Sequence, residues 1–431
     1  MMKKIFLLVF ACVFADASGQ DVKRLSLLFL GDIMQHDSQI ADALNPVTGK
    51  YDYEPCFQFV KPYTRAVDLA IGNLELTTAG PPYKGYPQFG APDELLVALK
   101  DMGMDVLVTA NNHCVDRGRK GLERTIHMLD SFGISHTGTF VESKEKEKLH
   151  PLLIEKDSFR LALLNYTYGT NGLPVTKPNI VNMIEPEKIA KDLSLARSMK
   201  PDAIIVFIHW GGEYQRLPSS WQKDLGGMLF KNGADIVIGA HPHVIQPMSW
   251  DKSANKLIAY SLGNFVSGQR KRYTDGGAMI RIELEKTFVN DSVSNTRIDT
   301  AGYILEWVER DAKKNYFVMP VPTVESKTFE KKMGDASTLA YKTFVDDSRS
   351  LLAEHNINIS EYASAPDYFV EFDGTASDTL SVKKLFEFSA DLRMVIDISA
   401  QKIHVGPFTL PDAHHFQRKL RRPTQIRLKE D

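Results

Sequence analysis

The residues able to do chemistry in this chain stand at the ends of short apolar runs: Asp32, His36, Glu75, Asn112, His113, Asp116, His209, His241 and His243. Imidazole, carboxylate and an asparagine carbonyl together suit Zn, Mn or Fe, and no thiolate joins them. Two carboxylates from separate runs plus several histidines are more than one ion needs. A pair of divalent ions roughly 3.5–4 Å apart could hold a hydroxide between them and engage both the attacking and the leaving oxygen. Binding to such a metal lowers the pKa of water to about 7, so no strong base is required. His241 and His243 are held apart by Pro242, whose ring fixes its own φ and is expected to push His241 toward extended backbone.

These residues need strands to carry them. Residues 25–30 and 66–71 are apolar runs ending in Gly31-Asp32 and Gly72-Asn73-Leu74-Glu75. A pattern then recurs three times. A helix over 92–102, stopped by Gly103, leads into a strand at 105–109 and then Asn111-Asn112-His113. A helix over 185–199 leads into 203–208 and His209-Trp210-Gly211. A helix over 219–231 leads into 235–238, a β-branched run suited to burial on both faces, and then His241-Pro242-His243. The strand–helix alternation from 25 to about 285 predicts an α/β domain. Its ligands belong at the C-terminal ends of the strands.

Further strands are expected at 258–262 and 278–284, with Gly263-Asn264-Phe265 turning between them, and a final pair within 303–321. Residues 338–355 read as a helix and 356–366 as a linker. The tail, 367–431, shows strands at 368–372, 394–398, 402–405 and 425–428 and helices at 381–388 and 411–420. That βαββαβ order predicts a small ferredoxin-like domain. The expected division is therefore a leader (1–19), a main domain (20–330), a helix and linker (331–366) and the tail (367–431).

Lys3 and Lys4 precede an apolar run, residues 5–15, too short for a membrane span, and Ala15-Asp16-Ala17 offers a cleavage site. The chain therefore reads as exported, periplasmic or secreted. Cys12 could mark a lipoprotein, but Phe10 is bulky for that processing site, and the mature chain is expected to have no transmembrane segment. Cys56 and Cys114 then remain, and spacing does not decide whether they pair. With 52 basic and 54 acidic residues the net charge is −2, which gives no global field for nucleic acid or a membrane surface.

Gly31-Asp32-Ile33-Met34, Gly72-Asn73-Leu74-Glu75, Asn111-Asn112-His113-Cys114-Val115-Asp116, His209-Trp210-Gly211-Gly212-Glu213-Tyr214, Gly239-Ala240-His241-Pro242-His243 and Ser261-Leu262-Gly263-Asn264-Phe265 together resemble the motif series of the CapA family. These are poly-γ-glutamate and capsule-biosynthesis proteins of the calcineurin-like metallophosphatase superfamily. The resemblance implies a four-layer α-β-β-α sandwich with two mixed sheets, and two divalent ions. It implies Asp32 and His243 at one ion, Glu75 bridging, and Asn112, His209 and His241 at the other. His113 would protonate the leaving group or steady the transition state, with Asp116 orienting it. Glu213, Tyr214, Arg117 and His36 would meet substrate. Lys84, Arg119 and Arg270–Arg272 are further candidates for an anionic polymer, since guanidinium suits carboxylate and phosphate.

The chain departs from the wider superfamily in two places. The usual Asp-x-His is Asp32-x-Met34, and the bridging aspartate is Glu75; His36 stands near the missing ligand at a different spacing. The implied function is an exported hydrolase of γ-glutamyl polymer or a related anionic envelope polymer, acting through metal-bound hydroxide. The alternatives are a periplasmic phosphoesterase and a non-catalytic capsule assembly factor with a degenerate metal site. In the tail, Lys402-Ile403-His404-Val405-Gly406-Pro407-Phe408 is similar to the second half of SPOR domains, which implies peptidoglycan as a partner.

Overall fold

The computed structural model describes residues 20–289, 292–326, 329, 331, 333–362 and four strands of the tail. Strands β1 (Gln20–Ile33), β2 (Leu69–Leu74), β3 (Val106–Val108) and β4 (Ser135–Thr137) lie side by side and parallel. Then follow β5 (Thr139–Phe140), β6 (Leu152–Lys156), β7 (Phe159–Thr167), β8 (Ile180–Val181), β9 (Ala203–His209), β10 (Ile236–Ala240), β11 (Ile245–Asp251) and β12 (Lys256–Leu262). Of these, β7, β9, β10 and β12 are the parallel centre of a second sheet, ordered β11-β12-β10-β9-β7-β6 with antiparallel edges. The chain returns to the first sheet with β13 (Asn264–Val266), β14 (Gly276–Val289), β15 (Ser292–Arg310), β16 (Tyr316–Pro320) and β17 (Ser360–Glu361).

The period-2 pattern of the strands explains the layering. On β1, Leu25, Leu27 and Phe29 face the other sheet, where they meet Ile205 and Phe207 of β9 and Ile236 and Ile238 of β10. Leu28 and Leu30 point outward to a second cluster that includes Leu95, Leu96 and Leu99 of helix Glu94–Met102. On β9 the alternate residues Ile204, Val206 and Ile208 meet helices Pro186–Ser198 and Ser220–Lys231 through Leu193, Leu225 and Leu229. Strands buried on both faces read as unbroken apolar runs, and each fully buried Leu or Ile contributes about 1.5–3 kcal/mol. The result is the four-layer sandwich with two mixed sheets.

Three expectations change. Asn264 and Phe265, expected in a turn, begin β13, which pairs in parallel with β1 and brings Asn264 beside Asp32. The final strand pair begins earlier than 303, because β15 starts at Ser292 and follows β14 along its length. Helix Asp335–His355 and the described residues after it, 356–362, are not outside the main core. Phe344, Val345, Leu351 and Leu352 of helix Asp335–His355 join the cluster between the sheets. Ile357 then exchanges backbone hydrogen bonds with Met248 and Trp250 before β17 pairs with β15. Apolar residues on one helical face need a partner, and the open edge between β11 and β15 supplies it.

Cys56 and Cys114 are both buried, free thiols in different clusters. Four strands of the tail, Tyr368–Asp373, Arg393–Asp397, Lys402–Phe408 and Gln425–Leu428, form an antiparallel sheet with Lys402–Phe408 and Tyr368–Asp373 at its centre. The two helices expected there, like the expected leader, lie outside the described residues. No helix among the described residues is long and apolar enough to cross a membrane.

Gly239, one residue before the end of β10, shows how tightly the site's supports are built. A Cβ there would lie 1.9 Å from the Tyr260 carbonyl oxygen and 2.6 Å from Trp210 Nε1. Those two atoms are hydrogen-bonded to each other at 2.9 Å, and Trp210 is fully buried, so it is a packing residue. Gly239→Ala is expected to cost about 1–3 kcal/mol through overpacking, read as a lower denaturant midpoint.

Candidate metal centre

All the parallel strands deliver their C-terminal ends to one edge of the sandwich. Asp32 is one residue before the end of β1, Glu75 follows β2, Asn112 and His113 follow β3, His209 ends β9, and His241 and His243 follow β10. Every one of these side chains is at least nine-tenths buried. Asp32, Glu75 and His209 offer ligand atoms within 4.8 Å of one another, as do Glu75, His241 and His243. Glu75 is common to both groups.

The carboxylates are held differently. Asp32 Oδ1 accepts from Asn73 Nδ2 at 2.8 Å, and Oδ2 faces His243 Nδ1 at 3.1 Å and the His241 backbone N–H at 3.3 Å. Burial alone would raise its pKa, but the bond and charge of His243, with His209 and Asn73, bring it down to about 2. Among the described residues no donor reaches either oxygen of Glu75; its nearest histidine nitrogens are His209 Nε2 at 3.4 Å and His243 Nε2 at 3.8 Å, and its carboxyl lies against that of Asp32. Burial, then the charge of Asp32, pushes its carboxyl well above the usual range.

The imidazoles divide in the same way. His209 Nε2 lies 2.7 Å from Asn112 Oδ1, while Asn112 Nδ2 donates to Asn171 Oδ1 at 3.2 Å, which fixes the amide. Burial brings His209 down to about 3 and His241 to about 2, and His241 Nδ1 has no partner among the described residues. At His243 burial lowers the pKa, but Glu75 and Asp32 outweigh it and raise it to about 9.

Buried polar groups are normally paired, and a buried carboxylate without a donor is costly. Two carboxyl groups this close, one unpaired, with an unpartnered imidazole nitrogen beside them, make a donor set that fits divalent cations. His243 holds its proton below pH about 9, so a cation binding at pH 7 must displace it. Metal uptake is expected to release about one proton or more. The release should shrink above pH 9, measured by calorimetric titration in buffers of different ionisation enthalpy.

The His-Pro-His turn differs from its expected form. His241 and His243 both adopt positive φ, 97° and 58°, rather than His241 being extended. Such backbone costs on the order of 1–3 kcal/mol per residue and is retained where surroundings enforce it. Here the Asp32 carboxylate receives the His241 N–H and the Pro242 carbonyl accepts from the Tyr214 N–H at 2.8 Å. Met34 is buried in the outer apolar cluster, so the departure from Asp-x-His becomes core packing.

His113 Nδ1 lies 2.7 Å from Asp116 Oδ2, which also accepts from the Phe89 N–H at 2.8 Å. The pair is buried, and the Phe89 ring packs edge-on against His113 at 4.6 Å. His36 is outside the metal-capable groups: its Nδ1 accepts from the Gly268 N–H at 3.1 Å, and its ring meets Phe89 at 5.1 Å. Burial lowers it to about 4, so it is neutral. Glu213 and Tyr214 are exposed at the mouth, with the Tyr214 ring 6.2 Å from His243 and Lys271 Nζ 4.5 Å above it. Arg117 lies over Gly90, beside Phe89. Arg119 pairs with Glu123, Arg272 with Asp347, and Arg270 Nη1 donates to the Val308 carbonyl at 3.1 Å.

Sequence reading missed Asn73, Asn111 and Asn165. Asn73 links Asp32 to His209, at 2.8 Å and 3.3 Å. Asn111 Nδ2 donates to the Leu74 carbonyl at 2.7 Å, and Asn165 Oδ1 accepts the Ala110 N–H at 2.6 Å, tying the Asn-Asn-His loop to both sheets. Asn73 and Asn111 lay inside quoted motifs; Asn165 had no local signal. Of the tyrosines at 166 and 168, Tyr166 is buried against Asp192 and His150, whereas the half-exposed Tyr168 ring lies 4.5 Å from His241.

Two mixed sheets between helices, with carboxylates and imidazoles gathered where parallel strands end, define a metallophosphatase-like α/β sandwich. Residues 26–269 match the bacterial capsule synthesis protein family PGA_cap, and the chain belongs to that family, the CapA family its motifs resemble. It is 30% identical over 282 residues to a capsule biosynthesis protein CapA of Bacillus anthracis, covering 63% of this chain and 66% of that one. It is 31% identical over 297 residues to the PGA biosynthesis protein CapA of Bacillus subtilis (strain 168), covering 65% of this chain and 75% of that one. Among solved structures, a hypothetical protein from Thermus thermophilus is similar at 14% identity and a TM-score of 0.36, over 65% of this chain and 99% of that one. Family membership supports a role in the capsule or envelope.

Proposed function

We propose that this protein is an exported, metal-dependent hydrolase that cuts γ-glutamyl polymer or a related anionic polymer of the cell envelope. The carrying observation is the unpaired, fully buried Glu75 carboxylate between His209, His241 and His243. Asp32 and His243 would hold one divalent ion, Asn112, His209 and His241 the other, and Glu75 would contact both. Divalent ions there would supply Lewis acidity for activating water and for polarising the scissile carbonyl or phosphoryl group.

The chain's own residues supply the remaining work. Asp116 fixes the His113 ring through Nδ1, which leaves Nε2 as the nitrogen that gives its proton to the leaving group. Tyr168 and Tyr214 wall the mouth, and Lys271 above Tyr214 offers a charge to substrate carboxylates. The Bacillus relatives, named for capsule and PGA biosynthesis, favour poly-γ-glutamate as the polymer. Resemblance of the tail to SPOR domains would add attachment to peptidoglycan, tested by sedimenting the full chain with purified sacculi.

The discriminating assay follows chain length of poly-γ-glutamate and release of p-nitrophenol from phosphoesters, using metal-supplied wild type and His241→Ala. Shortening of the polymer by wild type and not by the variant supports the proposal. Cleavage of phosphoesters alone would assign a phosphoesterase, and no turnover of either would leave an assembly factor.

A further inference from the structure

A cavity of about 420 Å³ lies under the first helix, between Asp37–Ala43, residues 44–56 and the start of β16. That volume is within the about 300–1,000 Å³ typical of small-molecule sites. Two of its lining side chains are buried and unsatisfied: Gln35, 1% exposed, at Oε1, and Tyr53, 4% exposed, at its hydroxyl. Neither belongs to the metal-capable groups. Gln35 neighbours His36, but it lines this cavity and not the centre.

The chemistry of the lining is one-sided. Asp42 and Asp52 contribute carboxylates, and among the described residues no Lys or Arg lines the cavity. Asp42 Oδ2 accepts the Tyr316 N–H at 2.8 Å. Burial first, and then neighbouring acidic groups including Glu94 and Asp42, push the Tyr53 phenol up, while the charge of Arg310 acts on Asp42. Arg270 and Arg310 stack on the Tyr316 ring, at 5.1 Å and 5.6 Å, and stay outside the lining. The walls between these polar atoms are aromatic and aliphatic, from Tyr53, Tyr316, Phe317, Ala43 and Leu44. A half-buried carboxylate beside unpaired buried oxygens and apolar walls wants a donor-rich cation on a short apolar stem.

We propose that this cavity is a second binding site, separate from the metal centre, for a small aliphatic compound bearing a primary ammonium group. The ammonium sits between Asp42 and the Tyr53 hydroxyl, with Gln35 Oε1 as a further acceptor, and the carbon chain lies against Ala43, Leu44 and Pro55. The inference does not rest on the hydrolase assignment.

The test is calorimetric titration of the full-length mature protein with 1,4-diaminobutane and, as its uncharged counterpart, 1,4-butanediol. Saturable binding of the diamine and not of the diol is expected. Asp42→Asn, which can still accept the Tyr316 N–H, should weaken binding by about tenfold or more, as loss of a charge-assisted hydrogen bond implies. Tyr53→Phe removes an oxygen that has no bond to lose, so folding is spared, and should weaken binding several-fold. His241→Ala should bind the diamine like wild type. Equal binding of the diol, no binding of either compound, or unchanged affinity in both Asp42→Asn and Tyr53→Phe would overturn the proposal. So would loss of binding in His241→Ala, which would place the diamine at the metal centre.

Discussion

His113→Asn is expected to keep the protein's metal and lower turnover by about 10²–10⁴-fold, the usual weight of a positioned acid. The separation of the two effects follows from geometry. His113 bonds to Asp116 and touches Phe89, and it is not among the side chains that converge on Glu75. Asp116→Asn should be milder. One amide oxygen can still accept from both His113 and the Phe89 N–H, because both bonds reach the same oxygen, Oδ2, in the wild type. What the asparagine lacks is charge, while the hold on the ring is kept, so turnover should fall by less than in His113→Asn. Metal analysis and turnover of both variants check this; loss of metal from His113→Asn would recast His113 as a ligand.

Glu75→Gln carries the second large effect, on metal-linked stability. Supplying wild type with metal at 100–1,000 times its Kd should add about 2.7–4.1 kcal/mol to folding stability. The variant should gain little, because it offers neither group the shared carboxylate. Without metal the order should reverse: the glutamine variant should equal or exceed wild type. Glu75 is buried without a donor, and burial first, then the charge of Asp32, pushes its carboxyl well above the usual range, so without metal its charged form is costly to keep buried. Thermal melts with chelator and with added metal read both arms. A Glu75→Gln protein stabilised by metal like wild type would remove Glu75 from the centre.

How much of this was legible in the sequence depends on the range of the forces involved. The strands around Asp32, His209 and His241 were visible because burial on both faces writes a continuous apolar run, and their polar ends mark the edge of the sheet. Helix Glu94–Met102 was visible down to its stop, since Gly103 takes φ 109° at the C-cap. Contacts between distant segments were not. Asn165 reaches across 55 positions to the Ala110 amide, and nothing near it in the chain announces that role. Helix Asp335–His355 read as a connector because its partner, the open edge between the sheets, exists only after both sheets form. The positive φ of His241 ran against the local preference before proline, and the Asp32 side chain that receives its N–H lies 209 positions away.

The central claim is that Asp32, Glu75, Asn112, His209, His241 and His243 form one buried divalent-metal centre. Its most direct test is the metal content, by inductively coupled plasma mass spectrometry, of wild type and His241→Ala purified side by side and dialysed against metal-free buffer. One to two equivalents of Zn, Mn or Fe are expected in wild type and a marked loss in the variant, consistent with the ligand set. Metal content that is negligible in wild type even after resupply, or identical in the two proteins, would contradict it.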